Sequence, residues 1–419
     1  MAKRDPLAAI IEQNRPFAQA EHAVLADDGK TNLTKIAVAR KLDALVASPF
    51  GFFRGTFPIF ASDVAAADSV LGSGAPSAEV VGDLHLENFG AYRGKEELVF
   101  DVNDFDEVTH FAVDIDLARL ATSVLLVDGP PVAEKEQAVT ALVRAAAEEM
   151  ARLGGKFPVR AITREKAVGR VREILDERRT ETSEAFLKAN TKGLGRSMRL
   201  NMGDPLTAKY TALERDRAKE AARALASYAT AHAADVSIKE VIDVAYRFKG
   251  TGSLGRYRVS LLVRCEKDRL RIFEIKEALT SALDVARGAP LRTPQRGAAI
   301  ASAIRRLQGD PWPSVGATSL WGVSALVREI QPEEEKLRVG RYAHSGRELA
   351  DYAAQCGRAM VRLHLRGGAR ALLESEMAAK GEALVPRTLE FARRCAKQVI
   401  DDHATLRQNQ ARVRSAIGV

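Results

Sequence analysis

Gly82-Asp83-Leu84-His85-Leu86-Glu87-Asn88-Phe89-Gly90 is the stretch on which the reading of this 419-residue chain turns. An Asp followed five residues later by an Asn, on a loop between short strands, offers two groups. One is a carboxylate that can take a proton; the other is an amide oxygen that can help hold a metal on phosphate oxygens. Asp83 is therefore the candidate catalytic base and Asn88 a candidate metal ligand. The spacing alone also describes a polar turn capping its own backbone. The flanking Gly82, His85 and the hairpin that follows (Asn88–Tyr92 and Leu98–Val102 around Arg93-Gly94-Lys95-Glu96) make the match more specific.

Directly downstream stands Phe100-Asp101-Val102-Asn103-Asp104-Phe105-Asp106-Glu107. Acidic side chains this dense repel one another, and a divalent ion with oxygen ligands compensates them. Asp104, the Asp of an Asp-Phe pair just after the hairpin, is the expected metal ligand, with Asp101 and Asp106 as substitutes. An acidic loop satisfied by nearby Arg or water reads equally well from these residues alone.

Far along the chain comes Gly250-Thr251-Gly252-Ser253-Leu254-Gly255. Such a glycine pattern is weak by itself. Here an alternating strand follows it (Tyr257, Val259, Leu261, Val263), where a dinucleotide fold would open a helix. Strand–turn–strand is the setting in which glycines cover ATP phosphates, so Gly250, Gly252, Ser253 and Gly255 are candidate cofactor-binding residues. The next strand, Leu270–Lys276, ends in Lys276, a candidate catalytic and phosphate-binding lysine. The segments Ala317–Trp321 and Ser324–Ile330 read as two more strands. The last strand end, Val327-Arg328-Glu329-Ile330-Gln331-Pro332, is expected to offer Glu329 and Ile330 to adenine.

Together these residues resemble the protein-kinase-like superfamily, especially aminoglycoside phosphotransferases with their H-G-D-L-H-x-x-N loop. More closely, the chain is similar to the bacterial domain-of-unknown-function family 2252. The resemblance is carried by Ser48-Pro49-Phe50-Gly51-Phe52-Phe53-Arg54-Gly55, Gly82–Gly90, Asn103–Glu107 and Gly250–Gly255. It implies that Asp116, in Asp114-Ile115-Asp116-Leu117-Ala118-Arg119, braces the catalytic loop, although a first-turn helix carboxylate explains that residue equally. It also implies a circular permutation, because the catalytic and metal loops precede the glycine turn. The helix Arg347–Leu365 then resembles the one that leads into the catalytic loop, and Gly367 should lie near the strand entering Gly82. Val81 stands where related phosphotransferases carry His. The helix at 295–308 contains no Glu to pair with Lys276, leaving Glu274 as a partner on its own strand or none. Arg54 is read either as a phosphate or substrate contact or as a brace of its turn.

The expected class is α+β: a kinase-like two-lobe fold, circularly permuted, with a small antiparallel sheet inserted in a mainly helical lobe. Residues 1–240 form the helical lobe, with 133–245 helical almost throughout; 241–332 form the sheet lobe; 333–419 return as helices. The run Ser48–Gly55 is read as a break in helical pattern. Hydrophobic residues at 46% and charged residues at 28% suit a globular protein. No run reaches the length of a membrane span and no apolar signal core follows Met1, so a cytoplasmic protein is expected. Three scattered cysteines, Cys265, Cys356 and Cys395, argue against disulfides and zinc. The +8 charge is spread over amphipathic helices, and no aromatic-basic interleaving suggests nucleic acid. The expected function is an ATP- and Mg²⁺-dependent phosphotransferase acting on an unknown small-molecule or protein acceptor. Its rivals are a nucleotide-binding pseudokinase and, last, a basic nucleic-acid-binding protein. The helices of 130–240 are expected to shape the acceptor pocket.

Overall fold

Four short strands, β1 (Ser77–Val80), β2 (Phe89–Arg93), β3 (Leu98–Val102) and β4 (Thr109–Ala112), build the frame of the acidic motifs. β1 pairs with β4 and β2 with β3, all antiparallel. The segments 81–88 and 103–108 are thus the two crossings between the same pair of ribbons and run side by side, joined where Asn103 N–H donates to the Asn88 carbonyl at 2.8 Å. β5 (Ile162–Thr163) extends the β2–β3 ribbon. The computed structural model describes residues 4–67, 69–72, 77–153, 158–232, 237–338, 340, 343–369 and 379–419.

The helix Asp114–Leu125 follows β4 and is buried on nearly every face, including Leu117, Leu120, Ala121 and Val124. It packs against the helices Val132–Leu153 and Ala379–Gln408. The stripe Leu349, Ala353, Cys356, Met360 and Leu363 lies buried on the helix Gly346–Arg366, which runs along Val132–Leu153. Truncating any one of these leucines costs about 2–5 kcal/mol, because a close-packed core cannot refill the space.

A small ribbon, β6 (Thr191–Lys192) and β7 (Arg199–Leu200), precedes the main sheet. That sheet comprises β8 (Tyr210–Thr211), β9 (Ile238–Arg247), β10 (Arg258–Cys265), β11 (Leu270–Glu277), β12 (Val315–Leu320) and β13 (Val323–Ile330). Its six strands lie in the order β12-β13-β11-β10-β9-β8, each pair antiparallel. β14 (Glu335–Lys336) returns to pair with β2, tying sheet to ribbon. With about 51% helix and 18% strand, the protein is α+β.

Alternation sorts the sheet's side chains. Val259, Leu261, Val263, Phe273 and Ile275 face Leu225 and Tyr228 of the helix Arg215–Ala231. On the other face the register sets Lys276 opposite Arg258 and Glu274 opposite Arg328. Further from the glycine turn that face becomes apolar, with Leu262, Ile272 and Ile330 packed together.

Two local expectations are corrected. Residues 133–245 are not helical almost throughout: β5 to β8 interrupt them, and Ile238–Arg247 is a ten-residue strand. Its β-branched Ile238, Val241, Ile242 and Val244 favour extended backbone. Ser48–Gly55 does not break helical structure. Ser48 ends one helix (Leu33–Ala47) and caps the next (Pro49–Gly55), its Oγ accepting from Gly51 N–H at 3.0 Å, and Pro49 takes the first-turn position where its missing N–H is harmless. Among the described residues no helix is long and apolar enough to cross a membrane, and Cys265, Cys356 and Cys395 are buried free thiols.

Candidate functional site

The two acidic crossings and the glycine turn meet. A cavity of about 520 Å³ is lined by Asp83, Asn88 and Asp104 from the crossings and by Gly250, Gly252 and Ser253 from the turn. The turn is the link between β9 and β10, with Gly250 and Gly255 at φ +80° and +97°, a region that costs side-chain-bearing residues. A Cβ on Gly252 would stand 3.1 Å from the Arg54 carbonyl, so the turn lies close against the end of Pro49–Gly55. Gly255 lies off the cavity lining, and its carbonyl contacts His22 Nε2 at 2.8 Å.

Asp83 is held by Arg119, whose Nε donates to Oδ1 at 2.6 Å. Arg119 is wholly buried and also donates to the Phe53 carbonyl at 2.9 Å. Its guanidinium carbon lies 3.9, 4.7 and 4.8 Å from the ring centroids of Phe53, Phe57 and Phe60. The phenylalanine-rich segment is therefore a box for a cation, and the cation orients the candidate base. Burial pushes the Asp83 carboxyl up to about 7; Arg119 opposes this, while Glu107 and Asp104 add to it. A base with that value suits proton transfer near neutrality. Arg119 belongs to the Asp114–Arg119 motif, but sequence reading gave it no role.

The loop that carries Asp83 is fixed from below. Asp116 accepts Val81 N–H at 2.9 Å and Gly82 N–H at 2.8 Å, and His364 Nε2 lies 3.2 Å from it. A carboxylate that accepts two backbone donors sets the direction of the loop. Gly367, just past His364, lines a surface groove together with Ser77–Glu79 of β1, so the end of Gly346–Arg366 does lie beside the strand entering Gly82.

Asn88 Oδ1 accepts His85 N–H at 2.9 Å, closing a capping box, and a carbonyl oxygen keeps a second lone pair. Arg54 reaches Glu87 at 2.5 Å and also lines the cavity, so it braces the loop from a position facing the space. Of the acidic residues, Asp101 is not available as a substitute ligand: it is buried against Arg366 at 2.7 Å and accepts from Gly309 and Val102 N–H. Asp104, Asp106 and Glu107 all line the cavity. Asp106 is already engaged by Lys276 and by Arg256 at 3.7 Å, and Glu107 by Arg256 at 2.9 Å and the Ala282 N–H at 2.7 Å, so cations of this chain satisfy much of the acidic loop. Among the described residues no group of three or more His, Cys, Asp or Glu side chains is placed to hold a metal; the side-chain oxygens of Asp104 and Asn88 are of the kind a hard divalent cation takes.

Lys276 forms a short ion pair with Asp106. Burial lowers its ammonium, and Asp106 opposes that. The suggested partner, Glu274, is instead engaged by Arg247 at 2.6 Å, Arg258 at 3.3 Å and Arg328 at 3.4 Å. Those guanidinium groups outweigh its burial and hold its carboxyl well below the usual range. The helix Arg296–Leu307 reaches the acidic loop through Arg296, whose Nη2 donates to the Asp106 carbonyl at 2.9 Å.

Over residues 34–409 the chain matches the family described as an uncharacterized protein conserved in bacteria (DUF2252). The chain belongs to the DUF2252 family. No curated protein and no solved structure matches it. The DUF2252 span covers both acidic crossings, the glycine turn and Lys276, whereas the helix Pro6–Ala18, which contributes Gln13 to the cavity, lies outside it.

Some expected residues of this DUF2252 chain are not brought to the cavity; Lys276 is not in its lining and reaches it only through Asp106. Glu329 bonds Arg271 at 3.0 Å and Ile330 packs with Leu262 and Ile272. The register pairs them with Phe273 and Ile272, whereas Lys276 faces Leu326, a separation of about 10–13 Å along the strand at ~3.3 Å per residue. The pocket walls also differ from expectation. They come from Pro6–Ala18, Phe57–Ile59 and residues 279–291, with none of the helices of 130–240 in the lining. The same lining contains Lys41, Thr280 and Arg256, which sequence reading passed over. Lys41 carried a signal: it follows Ala37 and precedes Leu45 by four residues each, on the buried face of its helix.

Proposed function

We propose that this protein is an ATP- and magnesium-dependent phosphotransferase with a kinase-like, circularly permuted two-lobe architecture. The observation that carries this reading is the convergence of Asp83, Asn88 and Asp104 with the Gly250–Ser253 turn on one cavity, although more than 140 residues separate the acidic loop from the turn. The helix Arg296–Leu307 between β11 and β12 supports it, as does the neighbourhood of Gly367 and β1, which a permutation requires.

Asn88 and Asp104 would hold the magnesium, which when bound neutralises phosphate oxygens and eases departure of the leaving group. The backbone of Gly250–Ser253 covers the phosphates, and Lys276, anchored by Asp106, offers them its charge. Asp83 accepts the proton of the acceptor hydroxyl. The hydroxyl oxygen forms a bond to the γ-phosphorus, the bond from that phosphorus to the β–γ bridging oxygen breaks, and ADP leaves with the electron pair. Arg119 keeps Asp83 aimed and Asp116 keeps the loop still.

Thermal unfolding with ATP and Mg²⁺ tests binding. A ligand at ~100 times its Kd adds about 2.7 kcal/mol, and Asp104→Asn should lose the Mg²⁺-dependent part. ADP release tests turnover. Asp83→Asn should lower it by about 10²–10⁴ while keeping the ATP shift. Unchanged turnover removes Asp83 from the mechanism, and absence of any ATP shift removes the reading itself. A second reading, a nucleotide-binding pseudokinase, is favoured by one observation: Lys276 is tied to the acidic loop, with no carboxylate from Arg296–Leu307 to pair with it. An ATP shift without ADP release for any acceptor would select it.

A further inference from the structure

We propose that the wall of this cleft nearest the N-terminal helices is an acceptor subsite for a small hydroxylated organic anion, and that Lys41 recognises the anionic group. The inference rests on the phosphotransferase reading for naming the ligand an acceptor, but the site itself is argued from its own residues.

Lys41 is 2% exposed and lines the cavity. Among the described residues no hydrogen bond or ion pair holds its ammonium. Burial lowers the ammonium to about 7, Arg256 adds to this, and Glu107 opposes it. A buried ammonium in no direct ion pair is unfavourable in the empty fold and gains when an anion arrives.

Two further polar atoms of the same lining are buried without partners. Thr280, 8% exposed, has its hydroxyl unpaired, and the Oε1 of Gln13 is unpaired while its Nε2 donates to the Gly55 carbonyl at 2.9 Å. Buried polar groups are normally satisfied, so two unpaired atoms and an ammonium without an ion pair around one cavity describe the complement of a ligand. The ammonium asks for an anion. The hydroxyl and the amide oxygen ask for hydroxyl groups. In the same lining Ala9, Pro16, Phe57, Ile59, Val285 and Leu291 offer apolar contact to a short carbon skeleton. Asp83 lines the same cavity, so a hydroxyl on that skeleton has a base to take its proton.

The test is thermal unfolding of the full chain without nucleotide, against a panel of short hydroxycarboxylates, phosphate monoesters of the same alcohols, neutral polyols and amino alcohols. At least one of the two anion classes should raise the midpoint in the wild type, and which class does so identifies the anion. Lys41→Met should weaken that ligand by about 10- to 100-fold, the usual worth of a hydrogen bond to a charged group. Lys41→Arg should retain part of the binding, and Thr280→Val should weaken it less than Lys41→Met. The ATP–Mg²⁺ shift should survive in Lys41→Met, which separates failure of this subsite from failure of the nucleotide reading. If Lys41→Met does not fold, Lys41→Arg and Thr280→Val decide the matter. Equal binding of neutral polyols, undiminished anion binding in the variants, no anion binding at all, or anion binding lost only in Lys276→Met would each overturn the proposal.

Discussion

Replacing Arg119 by Met separates orientation of Asp83 from its desolvation. In the wild type Asp83 rises from 3.8 to about 7 because burial outweighs Arg119. The folded state therefore holds a proton on Asp83 that the unfolded chain releases near pH 4. Stability from this group is complete below pH 4 and is lost as pH climbs towards 7. At 1.36 kcal/mol per unit the ionised carboxylate costs the fold about 4 kcal/mol by pH 8. Without Arg119 the carboxyl should titrate still higher. At pH 8.5 the variant should lose up to about 2 kcal/mol more than at pH 5, because a carboxyl that titrates higher takes up a proton and 1.36 kcal/mol per unit over the ~1.5 units above the wild-type value is the most this can cost. At pH 5, where Asp83 is protonated, only the bond to the Phe53 carbonyl and the aromatic contacts are lost, about 1–2 kcal/mol. Urea unfolding of wild type, Arg119→Met, Asp83→Asn and the double variant at both pH values gives the cycle. The coupling should approach about 2 kcal/mol at pH 8.5 and shrink at pH 5. A pH-independent loss, or additivity at pH 8.5, would refute the argument that Arg119 compensates the Asp83 charge.

Two other perturbations follow from the same geometry. Glu274→Gln takes the carboxylate from Arg247 and Arg258, while Arg328 keeps Glu334 at 2.5 Å, and should cost about 3–5 kcal/mol in urea unfolding; a loss under 1 kcal/mol would show that Arg247 and Arg258 find other anions. Asp116→Ala leaves the Val81 and Gly82 N–H groups without acceptors, at about 1–3 kcal/mol each, so their amide exchange should accelerate while that of Leu349–Leu363 should not; unchanged exchange at both would mean that Asp116 does not hold the loop.

Much of this site is written in short segments. The Gly82–Gly90 loop, its hairpin, the helix after it and the glycine turn between strands each follow from local chemistry, since turn residues and alternation act within a few positions. The strands β10, β11, β12 and β13 stand within two residues of where their alternating apolar residues set them. β9 was obscured because β8 beside it is only two residues long, so much of β9 is half exposed and its Lys239, Glu240 and Asp243 blur the alternation. The pairing of Lys276 with Asp106 spans 170 residues, and no pattern in either segment encodes it. The same is true of the box around Arg119, which needs rings from three turns of chain and an Asp from a fourth. Glu329 and Ile330 carry no signal beyond their position at a strand end, and only the register of β11 against β13 fixes how far that end lies from Lys276. Lys41 reads as a surface lysine unless its place among apolar neighbours is weighed.

The central claim is that one nucleotide touches both the acidic crossings and the glycine turn. Hydrogen exchange of the full chain with and without ATP–Mg²⁺ tests it directly. The account predicts slowed exchange at 81–88 and 103–108 together with 249–256, lost in Asp104→Asn when Mg²⁺ is limiting. Protection of one segment without the other, or of neither, would contradict it.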